Sequence, residues 1–168
     1  MQTNPFGRTG QTVTRIGFGA WAIGGTWGEV TEADARATLH AALDAGISFV
    51  DTADVYGDGR SERIIRDVLA ERGGPRPFVA TKAGRRLNPH VAEGYTAANL
   101  TAFVDRSLTN LGTDRLDLVQ LHCPPPRSFP TPRSLPRWRR SVRPARWRIG
   151  ASRSRRWTRL GRPCASPA

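Results

Sequence analysis

Apolar positions in this chain fall into short continuous runs that alternate with stretches of helical spacing. Thr14–Ala20 predicts a first strand, preceded by a hairpin turn around Arg8–Gln11. Thr31 is the expected N-cap of a first helix, with Glu32 and Asp34 in the opening turn, where the positive end of the helix dipole favours acids. That helix carries Leu39 and Leu43 one turn apart and stops near Gly46. Ile47–Val50 predicts a second strand ending at Asp51. A second helix from Ser61 places Ile64, Ile65, Val68 and Leu69 on one stripe and ends before Gly73. Phe78–Thr81 reads as a third strand ending at Lys82, and a third helix spans Thr96–Leu111 with Gly112 as its stop. Leu116–Leu121 closes the pattern as a fourth strand ending at His122.

These are four β/α steps, the last without its helix. The strands are continuous apolar runs, as parallel strands covered on both faces should be. Such alternation builds either a doubly wound sheet or a (β/α)8 barrel. Residues 17–22, at the first strand–helix turn, lack the third glycine of a dinucleotide-binding turn, which favours the barrel. The expected fold class is α/β: the first four steps of a partial (β/α)8 barrel.

Charge divides the chain in two. Residues 1–126 hold 13 Lys and Arg against 14 Asp and Glu, whereas residues 127–168 hold 13 Arg and no acid. The net charge of +12 therefore belongs to the last 42 residues and not to the β/α pattern. Cys123 and Cys164 are too few and too far apart for a disulfide framework. No run reaches the about 18 apolar residues of a membrane span, and Met1–Gly10 lacks a signal-peptide core. The expectation is a soluble, cytoplasmic protein with neither a membrane nor a specific nucleic acid as partner.

Candidate chemistry sits at the strand ends, where barrels of this kind place their active sites. Asp51, Lys82 and His122 end three strands, and Tyr56 follows Asp51 by five residues. Lys82 is the only lysine against 25 arginines, which points to a compact ammonium instead of mere positive charge. A phenol has a pKa of about 10 and is a poor acid at neutral pH. An ammonium beside it stabilises the phenolate, a carboxylate keeps the ammonium charged, and an imidazole can hold a carbonyl oxygen while the proton arrives. Singly, each residue has a plainer reading: a turn-capping Asp51, a packed Tyr56, a core His122.

Three separated motifs carry a family resemblance. Asp51-Thr52-Ala53-Asp54-Val55-Tyr56-Gly57 followed by Ser61-Glu62, then Val79-Ala80-Thr81-Lys82, and finally Leu108 through His122 resemble, in order, the signatures of the aldo-keto reductases. The resemblance covers residues 1–126. It implies an oxidoreductase that reduces aldehyde and ketone carbonyls by hydride transfer from NADPH, without a metal. Tyr56 would then be the general acid, Lys82 and Asp51 its tuners, and His122 the substrate-orienting donor. Gly19, Ala20, Trp21 and Asp51 would line the nicotinamide side of the pocket. The substrate would be a small carbonyl compound.

Residues 127–168 depart from that family, whose barrel needs about 250 residues. Four later strands carry most of its cofactor contacts, and this arginine-, proline- and tryptophan-rich tail offers no such strands. Permitted codons for Ile149–Leu160, read one nucleotide out of register, spell a run resembling the family's fifth strand and next helix. A frameshift is thus the expected origin of the tail, and an irregular, truncated, inactive chain its consequence. Two alternatives stand beside this reading. The tail could bind nucleic acid or anionic surfaces through phosphate contacts, or the chain could be a regulatory relative that does not turn over.

Overall fold

The computed structural model describes residues 1–25 and 28–125. The expectations for residues 127–168 lie outside the described residues. A hairpin opens the chain: β1 (Thr3–Pro5) pairs antiparallel with β2 (Thr12–Thr14). The chain then crosses into a parallel sheet at β3 (Phe18–Gly19). The strand expected over Thr14–Ala20 is thereby corrected to a two-residue strand. Upstream of it, Thr14 is drawn to Ser48 by paired backbone-to-hydroxyl hydrogen bonds of 2.9 and 3.1 Å, and the Arg15 N–H is spent on the Gln2 carbonyl at 3.0 Å. Residues 14–15 therefore have no backbone donors left for the parallel ladder.

The remaining elements are α1 (Glu32–Asp44), β4 (Phe49–Asp51), α2 (Arg60–Arg72), β5 (Phe78–Ala83), α3 (Ala97–Leu111) and β6 (Leu118–Leu121). Short 3-10 turns occupy Ala22–Gly24 and Ala92–Gly94. Thr31 and Thr96 cap α1 and α3 by accepting from the Asp34 and Asn99 backbone N–H groups, as short hydroxyl side chains do at helix starts. The sheet order is β3-β4-β5-β6, all neighbours parallel, so the four strands lie in sequential order as expected.

Alternation along the strands separates two environments. Val50, Val79 and Thr81 face the helices, and the first two join a core of Ala35 and Leu39 from α1, Ile64, Ile65 and Val68 from α2, and Val104, Leu108 and Leu111 from α3. Asp51 and Lys82 face the other way. Among the described residues no helix is long and apolar enough to cross a membrane.

Candidate active site

Each of the four strand-end residues is held by its own element. Asp51 closes β4, in register with Gly19 of β3 and Ala80 of β5. Lys82 lies in β5 opposite Gln120 of β6. His122 directly follows β6, its backbone N–H donating to the Ala83 carbonyl at 2.9 Å. Tyr56 rides the loop from β4 to α2. Gly57 beside it fits against Gly24: a Cβ there would stand 2.8 Å from the Gly24 carbonyl carbon, at a φ of +58°. The Tyr56 loop is thereby seated on the segment that follows β3.

The structure brings all four together. The Lys82 ammonium donates to the Asp51 carboxylate, to the Thr52 carbonyl at 3.0 Å and to the Tyr56 hydroxyl at 3.1 Å. Its three donors are thus fully used, which aims the ammonium instead of leaving it to swing. The His122 ring stands edge-on to the Tyr56 ring, centroids 5.8 Å apart at 89°. Burial first, then the Lys82 charge, pushes the His122 pKa down to about 4, so the imidazole is neutral at pH 7. Its Nδ1 is buried with no hydrogen-bond partner among the described residues.

Of the residues read as flanking a cofactor, Gly19 and Trp21 face outward and Ala20 does not. A Cβ on Gly19 would meet nothing within 4 Å, and Trp21 is 48% exposed. Ala20 is wholly buried in the core. Its N–H donates to the Asp51 carbonyl at 2.8 Å and its carbonyl accepts from the Ser61 hydroxyl at 2.8 Å. Ala20 fastens the end of β3 to β4 and α2.

Three participants were given no role from the sequence. Gln120 donates its side-chain amide to the second Asp51 oxygen at 3.1 Å. The signal for it was strand alternation: Gln120 is two residues before His122 and so shares its face. Behind the sheet, Glu62 accepts from Thr81 at 2.7 Å and from Asn110 at 2.8 Å, both buried. Asp54, with no exposed surface, has neither carboxyl oxygen hydrogen-bonded. Desolvation, then the neighbouring Glu62, raises its pKa to about 7. Among the described residues no group of three His, Cys, Asp or Glu side chains is placed to hold a metal ion.

Comparison with known proteins identifies the family. The family model described as "Aldo/keto reductase family" matches residues 15–132. Aldo-keto reductase YhdN of Bacillus subtilis is 40% identical over 129 residues, covering 75% of this chain and 39% of YhdN. Aldo-keto reductase yakc [NADP(+)] of Schizosaccharomyces pombe is 34% identical over 115 residues, covering 66% of this chain and 34% of the relative. Among solved structures, the glycerol dehydrogenase AKR11B4 from Gluconobacter oxydans superposes with a TM-score of 0.71 at 31% identity, over 88% of this chain and 47% of that one. The chain thus spans less than half the length of these relatives. Its four parallel β/α steps are part of the (β/α)8 barrel of such structures. With the matched segment spanning all three motifs and every strand-end residue, the chain belongs to the aldo/keto reductase family.

Proposed function

We propose that residues 51–122 form the proton-donating half of an NADP(H)-dependent carbonyl reductase site. The observation that carries this reading is the Lys82 ammonium, which joins the Asp51 carboxylate and the Tyr56 hydroxyl at the strand ends, with His122 against the same phenol. The nicotinamide supplies hydride to the carbonyl carbon when bound. Tyr56 gives the proton to the carbonyl oxygen, and the Lys82 charge at 3.1 Å stabilises the phenolate left behind. Asp51, itself bonded by Gln120, keeps Lys82 charged and aimed. His122, neutral at pH 7, holds the substrate oxygen by one N–H bond.

The residues present fit the nicotinamide end of the cofactor. The open face of Gly19 beside Asp51, with exposed Trp21 next to it, admits a flat ring, while Ala20 holds the strand end from behind. The bracketed NADP(+) in the name of the fission-yeast relative supports the choice of NADP(H) over NAD(H). The substrate class is a small aldehyde or ketone.

The resemblance assigns most cofactor contacts to later strands, and residues 127–168 contain no motif for them. The 168-residue chain alone is therefore expected to show no measurable NADPH oxidation with aldehydes, because hydride transfer depends steeply on cofactor geometry. The frame-restored, longer protein is expected to turn over, and its Tyr56→Phe variant to lose turnover while retaining NADPH affinity. A frame-restored protein that reduces carbonyls equally well with Phe at position 56 would sink the assignment. Turnover by the short chain that Tyr56→Phe abolishes would refute only the expectation of inactivity.

A further inference from the structure

The segment between β5 and α3, residues 84–96, returns over the end of β6. There Tyr95 donates its hydroxyl proton to the backbone carbonyl of His122 at 3.0 Å, and His90 Nε2 lies 2.7 Å from the same hydroxyl. A tyrosine hydroxyl has one proton, and a carbonyl can only accept. With that proton committed to His122, the His90 Nε2 must carry the hydrogen of its own bond. The direction of the chain is therefore fixed: His90 to Tyr95 to the His122 carbonyl. Burial, then the Cys123 thiol, pushes the Tyr95 phenol up to about 12, so it stays a donor throughout the working pH range. Burial, then Arg85, holds the His90 pKa below its ordinary value, opposed by a hydrogen bond to the His122 backbone, so His90 also bears on that peptide directly.

The seat of Tyr95 is fitted closely. Gly84 stands at a φ of +110°, and a Cβ there would lie 2.8 Å from the Tyr95 Cζ, so a side chain at 84 and the Tyr95 ring cannot both be accommodated. His90 covers the ring from another side at 61°, centroids 5.8 Å apart. At His122 itself the ladder has ended. Its N–H is still held by Ala83 of β5, but its carbonyl has passed the last sheet partner and is taken by Tyr95. Cys123 follows at a φ of +46°, where the chain turns away. The backbone of His122 is thus gripped on both sides.

We propose that Tyr95, backed by His90, is a positioning residue for His122. By fixing the peptide that follows β6, it sets where the imidazole lies against Tyr56. The functional meaning rests on the role given to His122 above, but the placement can be tested without turnover. The chain has three histidines, His40, His90 and His122, so histidine-labelled 168-residue protein gives three ring signals by NMR, assignable with single His→Gln variants.

In Tyr95→Phe the end of β6 loosens and water reaches the ring. The midpoint of His122 should rise by about one pH unit as desolvation is relieved. His90 should lose its fixed Nε2–H tautomer, and His40 should not move. His90→Gln keeps a side-chain N–H donor toward Tyr95 and should leave the His122 midpoint where it is, whereas His90→Leu should shift it part of the way. A response confined to His90 in Tyr95→Phe, with His122 unchanged, overturns the proposal. Should Tyr95→Phe fail to fold, the His90 pair decides: a His122 midpoint identical in His90→Gln and His90→Leu overturns it as well. Failure of the reductase reading would show as turnover that survives Tyr56→Phe and would leave these signals untouched.

Discussion

Two polar clusters flank the ends of β4 and β5, one on each face of the sheet, and they solve opposite problems. On the open face Asp51 is 33% exposed and meets a full positive charge from Lys82. On the face covered by α2 and α3, Asp54 and Glu62 have no exposed surface, and Glu62 is served only by neutral donors, Thr81 and Asn110. Adjacent residues of one strand separate the two, since Lys82 points to the first cluster and Thr81 to the second. A carboxylate that keeps water and an ammonium partner can do electrostatic work. One sealed beside a second carboxyl is driven towards its neutral form. The open cluster therefore has the properties of a site, and the sealed one those of a support.

The largest expected effect separates these roles directly. In a full-length barrel carrying residues 1–126, Lys82→Met should lower turnover by about a hundredfold to ten-thousandfold, the range that positioned acid–base chemistry contributes. Stability should change far less, because Asp51 retains water and the Gln120 amide. Steady-state kinetics beside thermal melting checks both. A fall in melting temperature with unchanged turnover would put Lys82 among the supports.

The roles of most of the open cluster were legible in the sequence and those of the sealed one were not, for a physical reason. Asp51, Lys82 and His122 sit at the ends of apolar runs, and a run shows where a strand stops. Thr31 was readable as a cap because its partner lies three residues away. Asn110 meets Glu62 across 48 residues, Gln120 meets Asp51 across 69, and Tyr95 meets His122 across 27. Strand alternation puts Gln120 on the face of His122, but none of these pairings has a local signature, because side chains so far apart are joined only by the register of the sheet. The first strand was misjudged for the same reason, since Ser48 and Gln2 take the backbone donors of residues 14–15 from a distance.

Next in size is a pH effect that belongs to the sealed cluster alone. The Asp54 pKa is raised from 3.8 to about 7, by desolvation first and then by Glu62 of α2, with Arg86 and Arg106 opposing from the β5–α3 segment and α3. Between these values the folded protein holds a proton that the unfolded chain has released. The contribution of Asp54 is therefore complete below about pH 4 and is lost as pH rises through 7, at about 1.4 kcal/mol per unit of pKa difference. Asp54→Asn cannot ionise. Its melting temperature minus that of the parent should grow from about pH 4 to pH 7 and level off above, the variant being the more stable. His90 and His122 titrate in both proteins and drop out of the difference. A variant that is the less stable at pH 8 would mean that Asp54 is ionised and paired with the arginines.

The smallest effect is a matched pair, because both clusters contain the same bond in different surroundings. Asn110 donates an amide to Glu62 at 2.8 Å behind the sheet, and Gln120 donates one to Asp51 at 3.1 Å on the open face. Replacing each with leucine keeps the bulk of the side chain and removes the donor. Behind the sheet no water replaces it, and Glu62 retains only Thr81, so Asn110→Leu should cost about 1–3 kcal/mol, the penalty for a buried acceptor stripped of its partner. On the open face water takes the place of the amide, and Asp51 keeps Lys82, so Gln120→Leu should stay within about 0.5 kcal/mol of the parent. Urea unfolding of the two variants at pH 7 reads both values. Equal costs would mean that the faces do not differ in access to water, and the distinction between an open site and a sealed support would fail with it.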